Sequence, residues 1–216
     1  MKLLLAIPLL LLIATKGCTQ SSGGSVKTMV GGGCEGCEAI HENSVPYDQL
    51  KNMLWLPDWN EKGRRLAVNG TVFKVDGKTP AANVILYLYH TDQTGRYSTK
   101  GDETGWGKRH GYIRGWLRTD EKGSYKFFTL KPAAYPGNTI PAHIHVFVKE
   151  PGMNEYYIDD FLFTDDPLLT ASERKKQQGR GGHGILVTKD VGNMLKAERN
   201  IYLGRNIPDY PATIKK

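Results

Sequence analysis

Residues 113–148 read IRGWLRTDEKGSYKFFTLKPAAYPGNTIPAHIHVFV, and the pattern in this stretch decides the fold. Polar and apolar residues alternate in three short runs, GYIRGWLRTD, SYKFFTL and AHIHVFVKE, and residues 121–123 (EKG) supply a turn between the first two. Such alternation, bounded by turn residues, is typical of strands that bury one face. We therefore expect three consecutive strands here.

The same pattern extends in both directions from this stretch. Two further runs precede it, LAVNGTVFKV and NVILYLYH, and three follow it, YYIDDFLF, GILVTKD and KAERNIYLG. Many short strands separated by turns are typical of a β-sandwich. The sequence thus predicts an all-β fold whose β-sandwich core covers residues 66–216. Residues 34–65 lack this pattern and are interpreted as an irregular N-terminal extension with a short helix or turns.

The N-terminus has the pattern of an export signal. Lys2 precedes an apolar run over residues 3–14, which is too short to span a bilayer as a permanent helix. Because Cys18 directly follows a small residue, residues 1–17 are interpreted as a lipoprotein-type signal peptide and Cys18 as the lipidated first residue. Plain secretion, with Cys18 as an unmodified thiol, is the alternative.

The leader and the segment after it predict where the protein resides. Residues 18–33 are rich in Gly and Ser, which is typical of a flexible tether. We expect an exported protein of a bacterial cell envelope. It would be held at the membrane surface by a lipid anchor at Cys18, or else be periplasmic or secreted.

The composition fits one soluble domain with tails. The chain has 216 residues, of which 39% are hydrophobic and 24% are charged. Its formal net charge is +7, and Lys2 and Lys16 in the leader account for two of these charges. The remaining basic excess could attract an acidic substrate or could simply be solvated. No basic repeat with interleaved aromatic residues occurs, so no nucleic-acid partner is predicted.

Four side chains form a candidate metal site. His143 and His145 stand two apart on a predicted strand, so their imidazoles project to the same side. Tyr135 lies eight residues before His143, and Tyr97 lies further upstream. A phenolate is a hard, anionic oxygen donor that suits a highly charged cation such as ferric iron. A single Tyr or a single His-x-His is ordinarily structural, so the prediction depends on the ordered set.

The same set carries a family resemblance. The pieces GRYSTKGD, IRGWLRTDEKGSYKFFTLKPAAYP and PAHIHVFV resemble the intradiol ring-cleaving dioxygenases, the family of the catechol and protocatechuate dioxygenases. The resemblance covers roughly residues 66–205. It implies that Tyr97, Tyr135, His143 and His145 bind Fe(III), and that Tyr135 leaves the metal and accepts a proton when a catechol-type substrate arrives. It further implies that both atoms of O2 enter a muconate-type product, and that copies of the chain can form a homo-oligomer.

Two positions depart from the family pattern. Ile140 stands where the family usually has an Arg that stabilises negative charge on the activated substrate, so this help is absent unless Arg96, Lys108 or Arg114 supplies it. Asp160 stands where some protocatechuate enzymes have Gln. Its carboxylate could hydrogen-bond a metal ligand or face solvent, and the strand alternation favours solvent.

Alternatives remain open for the cysteines and for the function. Cys34 and Cys37 predict a local disulfide in an exported protein, with a redox pair or half a metal site as the other interpretations. A non-catalytic β-sandwich lipoprotein that binds phenolic ligands or other surface components is the main functional alternative. A metal-dependent hydrolase with zinc in the same site is a weaker one, because Tyr is an uncommon zinc ligand.

Overall fold

The computed structural model describes residues 29–211, which fold into two mixed sheets of six strands each. The first sheet has the order β1-β5-β2-β11-β10 with β12 beside β2, and the second has the order β4-β3-β6-β8-β9 with β7 beside β6. The strands are β1 Met53–Trp55, β2 Arg65–Phe73, β3 Ile85–His90, β4 Arg114–Arg118, β5 Ser124–Leu130, β6 His143–Lys149, β7 Tyr156–Tyr157, β8 Phe161–Phe163, β9 Ile185–Leu186, β10 Lys189–Val191, β11 Met194–Glu198 and β12 Ile201–Tyr202. The prediction of an all-β sandwich is confirmed.

Helices are few and short. Two 3-10 helices, Cys37–His41 and Tyr47–Gln49, lie in the N-terminal extension. The α-helices are α1 Gly107–His110 and α2 Ala171–Lys176, and Thr170 caps α2 by accepting a hydrogen bond from the Glu173 N–H. Among residues 29–211, no helix is long and apolar enough to cross a membrane.

Strand alternation gives the second sheet two buried faces. On β6, Ile144 and Val146 point into the main core between the sheets, whereas Phe147 belongs to a second, smaller core on the outer face. This outer core is covered by the N-terminal extension, which contributes Ala39 and Ile40. His143 and His145 precede Phe147 by four and two residues on the same strand. Their side chains therefore project on the same outer face as that of Phe147. The extension is therefore part of the surroundings of the candidate metal site.

The start of the described chain is docked on the domain. Residues 29–33 were predicted to belong to the flexible tether, yet the Val30 N–H donates to Asn154 Oδ1 at 3.1 Å and the Gly31 N–H to the Pro208 carbonyl at 2.7 Å. Burial of the Val30 side chain adds apolar contact with the main core. The predicted signal peptide, residues 1–17, and the predicted lipid anchor at Cys18 lie outside the described residues.

Three predicted strands are divided in the structure. The run YYIDDFLF is interrupted because the Asp159 carboxylate accepts hydrogen bonds from the N–H groups of Gly179 and Arg180, which turns the chain between β7 and β8. GILVTKD splits into β9 and β10, which belong to different sheets, and KAERNIYLG splits into β11 and β12. In addition, β1 was missed in the extension, where it pairs in parallel with β5.

A buried polar network joins the extension to both sheets. The Asp58 carboxylate accepts hydrogen bonds from the Thr129 hydroxyl at 2.8 Å and from the Leu130 N–H at 3.0 Å on β5. His90 Nε2 on β3 lies 2.7 Å from the same Thr129 hydroxyl. Asp58, His90 and Thr129 are all buried, so each polar group depends on these partners. The network therefore holds His90 in place, which is the last residue of β3 and directly follows Tyr89.

Candidate metal centre

The four predicted ligands come from one strand and two loops. His143 and His145 lie on β6, where His145 is opposite Tyr89 of β3 and His143 is opposite Leu162 of β8. Tyr97 lies in the loop between β3 and α1, and Tyr135 lies in the loop between β5 and β6. The rigid centre of the second sheet therefore carries the imidazoles, and the loops bring the phenols to them.

The four ligand atoms converge on one point. Tyr97 Oη lies 2.5 Å from Tyr135 Oη and 2.9 Å from His145 Nε2. Tyr135 Oη lies 3.1 Å from His143 Nε2, and the two Nε2 atoms are 3.1 Å apart. The atoms thus form a closed four-membered ring of short contacts, and the structure brings together all four residues that the sequence singled out.

Close contact between the two loops makes this convergence possible. Gly95 has φ 76°, and a Cβ at this position would lie 2.0 Å from the Ala134 carbonyl oxygen, directly before Tyr135. Only glycine fits there, since both the backbone conformation and the space exclude a side chain. The Asp92 carboxylate holds the Tyr97 loop by accepting hydrogen bonds from the Thr94 N–H and the Ser98 hydroxyl. These contacts therefore position the loops that carry Tyr97 and Tyr135.

The hydrogen bonds of the imidazoles leave both inner nitrogens free to bind a cation. His143 Nδ1 lies 2.7 Å from the Pro141 carbonyl oxygen, and His145 Nδ1 lies 2.9 Å from Asp160 Oδ1. Both partners are acceptors, so each Nδ1 carries the proton and each Nε2 presents a lone pair. With both phenols protonated, each hydroxyl can donate to a neighbouring Nε2. When both phenols lose their protons, two anionic oxygens and two nitrogen lone pairs are directed at one point, and only a cation satisfies them. The residues present therefore fit a metal ion with nitrogen and hard oxygen ligands.

The electrostatics of the site favour neutral side chains in the absence of metal. Burial lowers the pKa of His143, and the neighbouring His145 acts in the same direction. Burial also raises the pKa of Tyr97 and of Tyr135, and for Tyr97 the hydrogen bond with Tyr135 adds to the effect. A bound cation of high charge would reverse the preference of the phenols, because it stabilises the phenolate directly.

The carboxylate of Asp160 does not face solvent alone, as the interpretation favoured from the sequence had it, but contacts His145. The strand alternation suggested a solvent-facing carboxylate, but the interruption between β7 and β8 turns Asp160 towards His145. Burial works against the ionised form, but the charge of His145 and the hydrogen bond from it outweigh burial and hold the pKa of Asp160 below its ordinary value. Asp160 is close enough to the two histidines to count as a metal-binding group, yet its oxygen contacts Nδ1 of His145 and not the Nε2 side.

Two residues near the site were not singled out from the sequence. The ring of Tyr89 stacks on His145 with 4.5 Å between centroids and on His110 with 3.8 Å. The alternation in ILYLYH places Tyr89 on one face of its strand, but only the pairing of β3 with β6 puts that face beside His145. His183, in contrast, is exposed.

Position 140, where the resemblance led us to expect an Arg, is occupied by Ile at the edge of a cleft. Ile140 is 43% exposed and lies at a cleft of about 190 Å³ that also contains His143, Asp160 and Lys176. Arg114, one of the proposed substitutes, is already paired, since its Nη1 donates to Glu42 Oε2 at 2.6 Å. The other two proposed substitutes, Arg96 and Lys108, are exposed.

The candidate disulfide is formed. Cys34 and Cys37 pair with a Cα–Cα distance of 5.7 Å, which selects the disulfide over the other two interpretations of the CEGC motif. The closed loop begins the first 3-10 helix and packs against the outer core through Cys37. The motif therefore serves the structure of the extension.

The sandwich brings two tyrosines and two histidines together on its outer face, and comparisons with known proteins show which family has this sequence pattern. A family model described as "Dioxygenase" matches residues 39–180. Catechol 1,2-dioxygenase 2 of Acinetobacter lwoffii is 32% identical over 144 residues, which are 54% of this chain and 50% of that protein. The protocatechuate 3,4-dioxygenase beta chain of Burkholderia cepacia is 33% identical over 113 residues, 50% of this chain and 48% of that one. The chain belongs to the intradiol dioxygenase family.

Solved structures agree on the fold. The dioxygenase domain of a dioxygenase carbohydrate-binding protein fusion from Streptomyces sp. SirexAA-E has a TM-score of 0.54 at 23% identity, covering 69% of this chain and 85% of that one. Catechol 1,2-dioxygenase from Acinetobacter sp. ADP1 has a TM-score of 0.53 at 21% identity, and the match covers 71% of this chain and 57% of that one. At these identities the likeness concerns the fold alone. The chain spans about half the length of the curated relatives it matches.

Proposed function

We propose that this protein is a dioxygenase that depends on non-haem Fe(III) and cleaves a catechol-type ring between its two hydroxyl-bearing carbons. The observation that carries the proposal is the convergence of two phenol oxygens and two imidazole nitrogens, with neighbouring atoms 2.5 to 3.1 Å apart. Membership of the intradiol family and two relatives named for catechol and protocatechuate support a catechol-type substrate. One ring and one O2 would give one muconate-type dicarboxylic acid, so the reaction balances without an external reductant.

Tyr97, Tyr135, His143 and His145 would hold the iron. Bound ferric iron would supply Lewis acidity and a template for the two oxygens of the substrate. The choice of ferric iron over zinc follows from the two phenols, because Tyr is rare among zinc ligands. Neutral imidazoles with Nδ1 already engaged complete the set.

Tyr135 is the residue that would accept a proton from the substrate. It begins an exposed segment, residues 136–140, whereas Tyr97 packs against Tyr89 of the outer core with 5.7 Å between ring centroids. Tyr135 can therefore move with less disturbance than Tyr97. The Tyr135 phenolate would be a base placed to accept a proton from a hydroxyl of the substrate.

Oxygen uptake by iron-loaded protein tests the activity. Purified protein should be reddish-brown from charge transfer between phenolate and ferric iron, and it should consume oxygen with at least one member of a panel of catechol-type compounds. With isotopically labelled O2, mass spectrometry should find both labelled atoms in a ring-opened dicarboxylic acid. A coloured protein that consumes no oxygen with any catechol would favour the non-catalytic phenol-binding module, and a colourless zinc protein would favour the hydrolase.

Substitution of the ligands tests the site. Tyr97→Phe and His145→Ala should each abolish the colour and the retention of iron, because each removes a ligand atom. Tyr112→Phe and His183→Ala are matched controls, since Tyr112 binds Glu61 on the surface and His183 is exposed. A full iron complement in either ligand variant, measured by metal analysis, would show that the ligand assignment is wrong.

A further inference from the structure

We propose that Asp160 is a positioning residue that fixes the orientation and tautomer of His145 and so sets the affinity of the site for ferric iron. The inference rests on the proposed function, because it takes the four converging side chains as the iron ligands. It assigns a role to a carboxylate whose favoured interpretation from the sequence was a solvent-facing surface group.

The backbone around Asp160 is held by its neighbours. Asp159 is buried and accepts hydrogen bonds from the N–H groups of Gly179 and Arg180, which ties the segment to the loop after α2. On the other side, Phe161 begins β8 and pairs with Ile144 of β6. Asp160 therefore projects from a segment fixed at both ends, and its carboxylate reaches His145 Nδ1 at 2.9 Å.

Contacts on two sides determine how the His145 ring lies. Tyr89 stacks on the face of the ring with an interplanar angle of 24°, which restrains the plane of the imidazole. Stacking alone does not decide whether Nε2 or the carbon Cε1 points to the centre, because a ring flipped by 180° about the Cβ–Cγ bond keeps the stack. The hydrogen bond to Asp160 decides it, since the carboxylate accepts a hydrogen bond from Nδ1–H, whereas a flipped ring would place Cδ2 there, and this orientation leaves Nε2 for the metal.

The two histidines differ in what holds them. His143 Nδ1 donates to a backbone carbonyl, that of Pro141, at 2.7 Å, and no side-chain substitution removes that acceptor. His145 depends on a side chain that also bears a negative charge. A carboxylate that accepts a hydrogen bond from Nδ1–H makes Nε2 a stronger electron-pair donor to a cation. Its negative charge also partly offsets the positive charge of ferric iron. The strength with which His145 binds a cation therefore depends on a side chain and can be changed by a substitution at Asp160.

Metal titration of the full-length protein tests the proposal without using catalysis. Asp160→Leu removes both the acceptor and the charge at similar size, and Asp160→Asn keeps an oxygen acceptor but removes the charge. We expect Asp160→Leu to weaken ferric-iron binding about 10–100-fold in competition with a chelator, with a smaller loss and a shifted charge-transfer band in Asp160→Asn. Asp165→Asn is the matched control, because it removes an exposed carboxylate that pairs with Lys131 beyond β8.

The outcomes separate this role from a merely structural one and from the proposed function. A structural role would lower the denaturant midpoint of the metal-free protein in Asp160→Leu and leave its iron affinity equal to that of the parent. Parent-like iron affinity in Asp160→Leu, within about twofold of Asp165→Asn, would overturn the proposal for Asp160 alone. Failure of the unsubstituted protein to bind ferric iron would overturn both proposals. Coloured iron binding that weakens in Asp160→Leu, without oxygen uptake, would support the role of Asp160 and reject the dioxygenase activity.

Discussion

His110 is a buried histidine that stays neutral under ordinary conditions, and this has a consequence for stability. It stacks on Tyr89, and its Nδ1 lies 2.9 Å from the Tyr87 hydroxyl. Burial, together with the charges of His145 and Arg114, lowers its pKa to about 4. Between this value and the ordinary pKa of about 6.5, the unfolded chain takes up a proton that the folded protein does not, so stability falls as the pH falls through this window. The loss approaches about 3 kcal/mol at the lower end.

Substitution of His110 should flatten this pH dependence. In His110→Phe, which retains an aromatic ring for the stack, the free energy of unfolding should change less between pH 6.5 and 4 than in the parent. Urea unfolding of the metal-free protein at several pH values measures the slope. His183→Phe replaces an exposed histidine and should keep the slope of the parent. Equal slopes in His110→Phe and the parent would contradict the assigned pKa.

At the scale of elements, the N-terminal extension meets the outer core at a glycine. Gly36 caps the first 3-10 helix with φ 81°, and a Cβ there would lie 2.9 Å from His110 Nε2 and 3.2 Å from Trp106. We expect Gly36→Ala to lower the free energy of unfolding by about 2–4 kcal/mol, because left-handed backbone strain of about 1–2 kcal/mol and crowding in a packed core add together. Denaturant unfolding measures this loss.

Gly152→Ala separates the two causes of that loss. Gly152 has nearly the same backbone conformation, φ 77°, but a Cβ added there would meet no other atom within 4 Å, so only the backbone strain applies. Its destabilisation should be about 1–2 kcal/mol. A loss in Gly36→Ala no larger than that in Gly152→Ala would show that the disulfide loop does not press on His110.

At the scale of the whole molecule, we propose that a lipid anchor at Cys18 holds the protein at a membrane surface. The leader pattern of residues 1–18 supports the proposal. The domain boundaries at residues 17, 33 and 65 likewise remain predictions from the sequence. In phase partition with a nonionic detergent, the protein expressed in a bacterium should enter the detergent phase, because acyl chains bind detergent. Cys18→Ser should move it to the aqueous phase, whereas Cys34→Ser should not. Detergent partition of Cys18→Ser equal to that of the parent would reject the anchor.

The sequence by itself determined the class of fold and the identity of the candidate ligands. Alternation with a period of two is a local property, so the strands from Arg65 to Lys149 could be predicted from composition and turns alone. The pair His143 and His145 shares a face by that same period, and the ordered motif added Tyr97 and Tyr135. Strand breaks in the last third were not predicted, because the hydrogen bonds of Asp159 that cause one of them come from residues about twenty positions away.

Only the tertiary structure decided which face of the sheet carries the site and what surrounds it. Sequence alternation shows that His145 and Phe147 share a side, but not that this side points away from the sandwich and under the N-terminal extension. The contacts of Asp160 and Tyr89 with His145 depend on how β3, β6 and β8 pair, and strand pairing joins residues that are distant in the chain. Local pattern fixes the direction of a side chain relative to its own strand, whereas its neighbours are fixed by long-range packing.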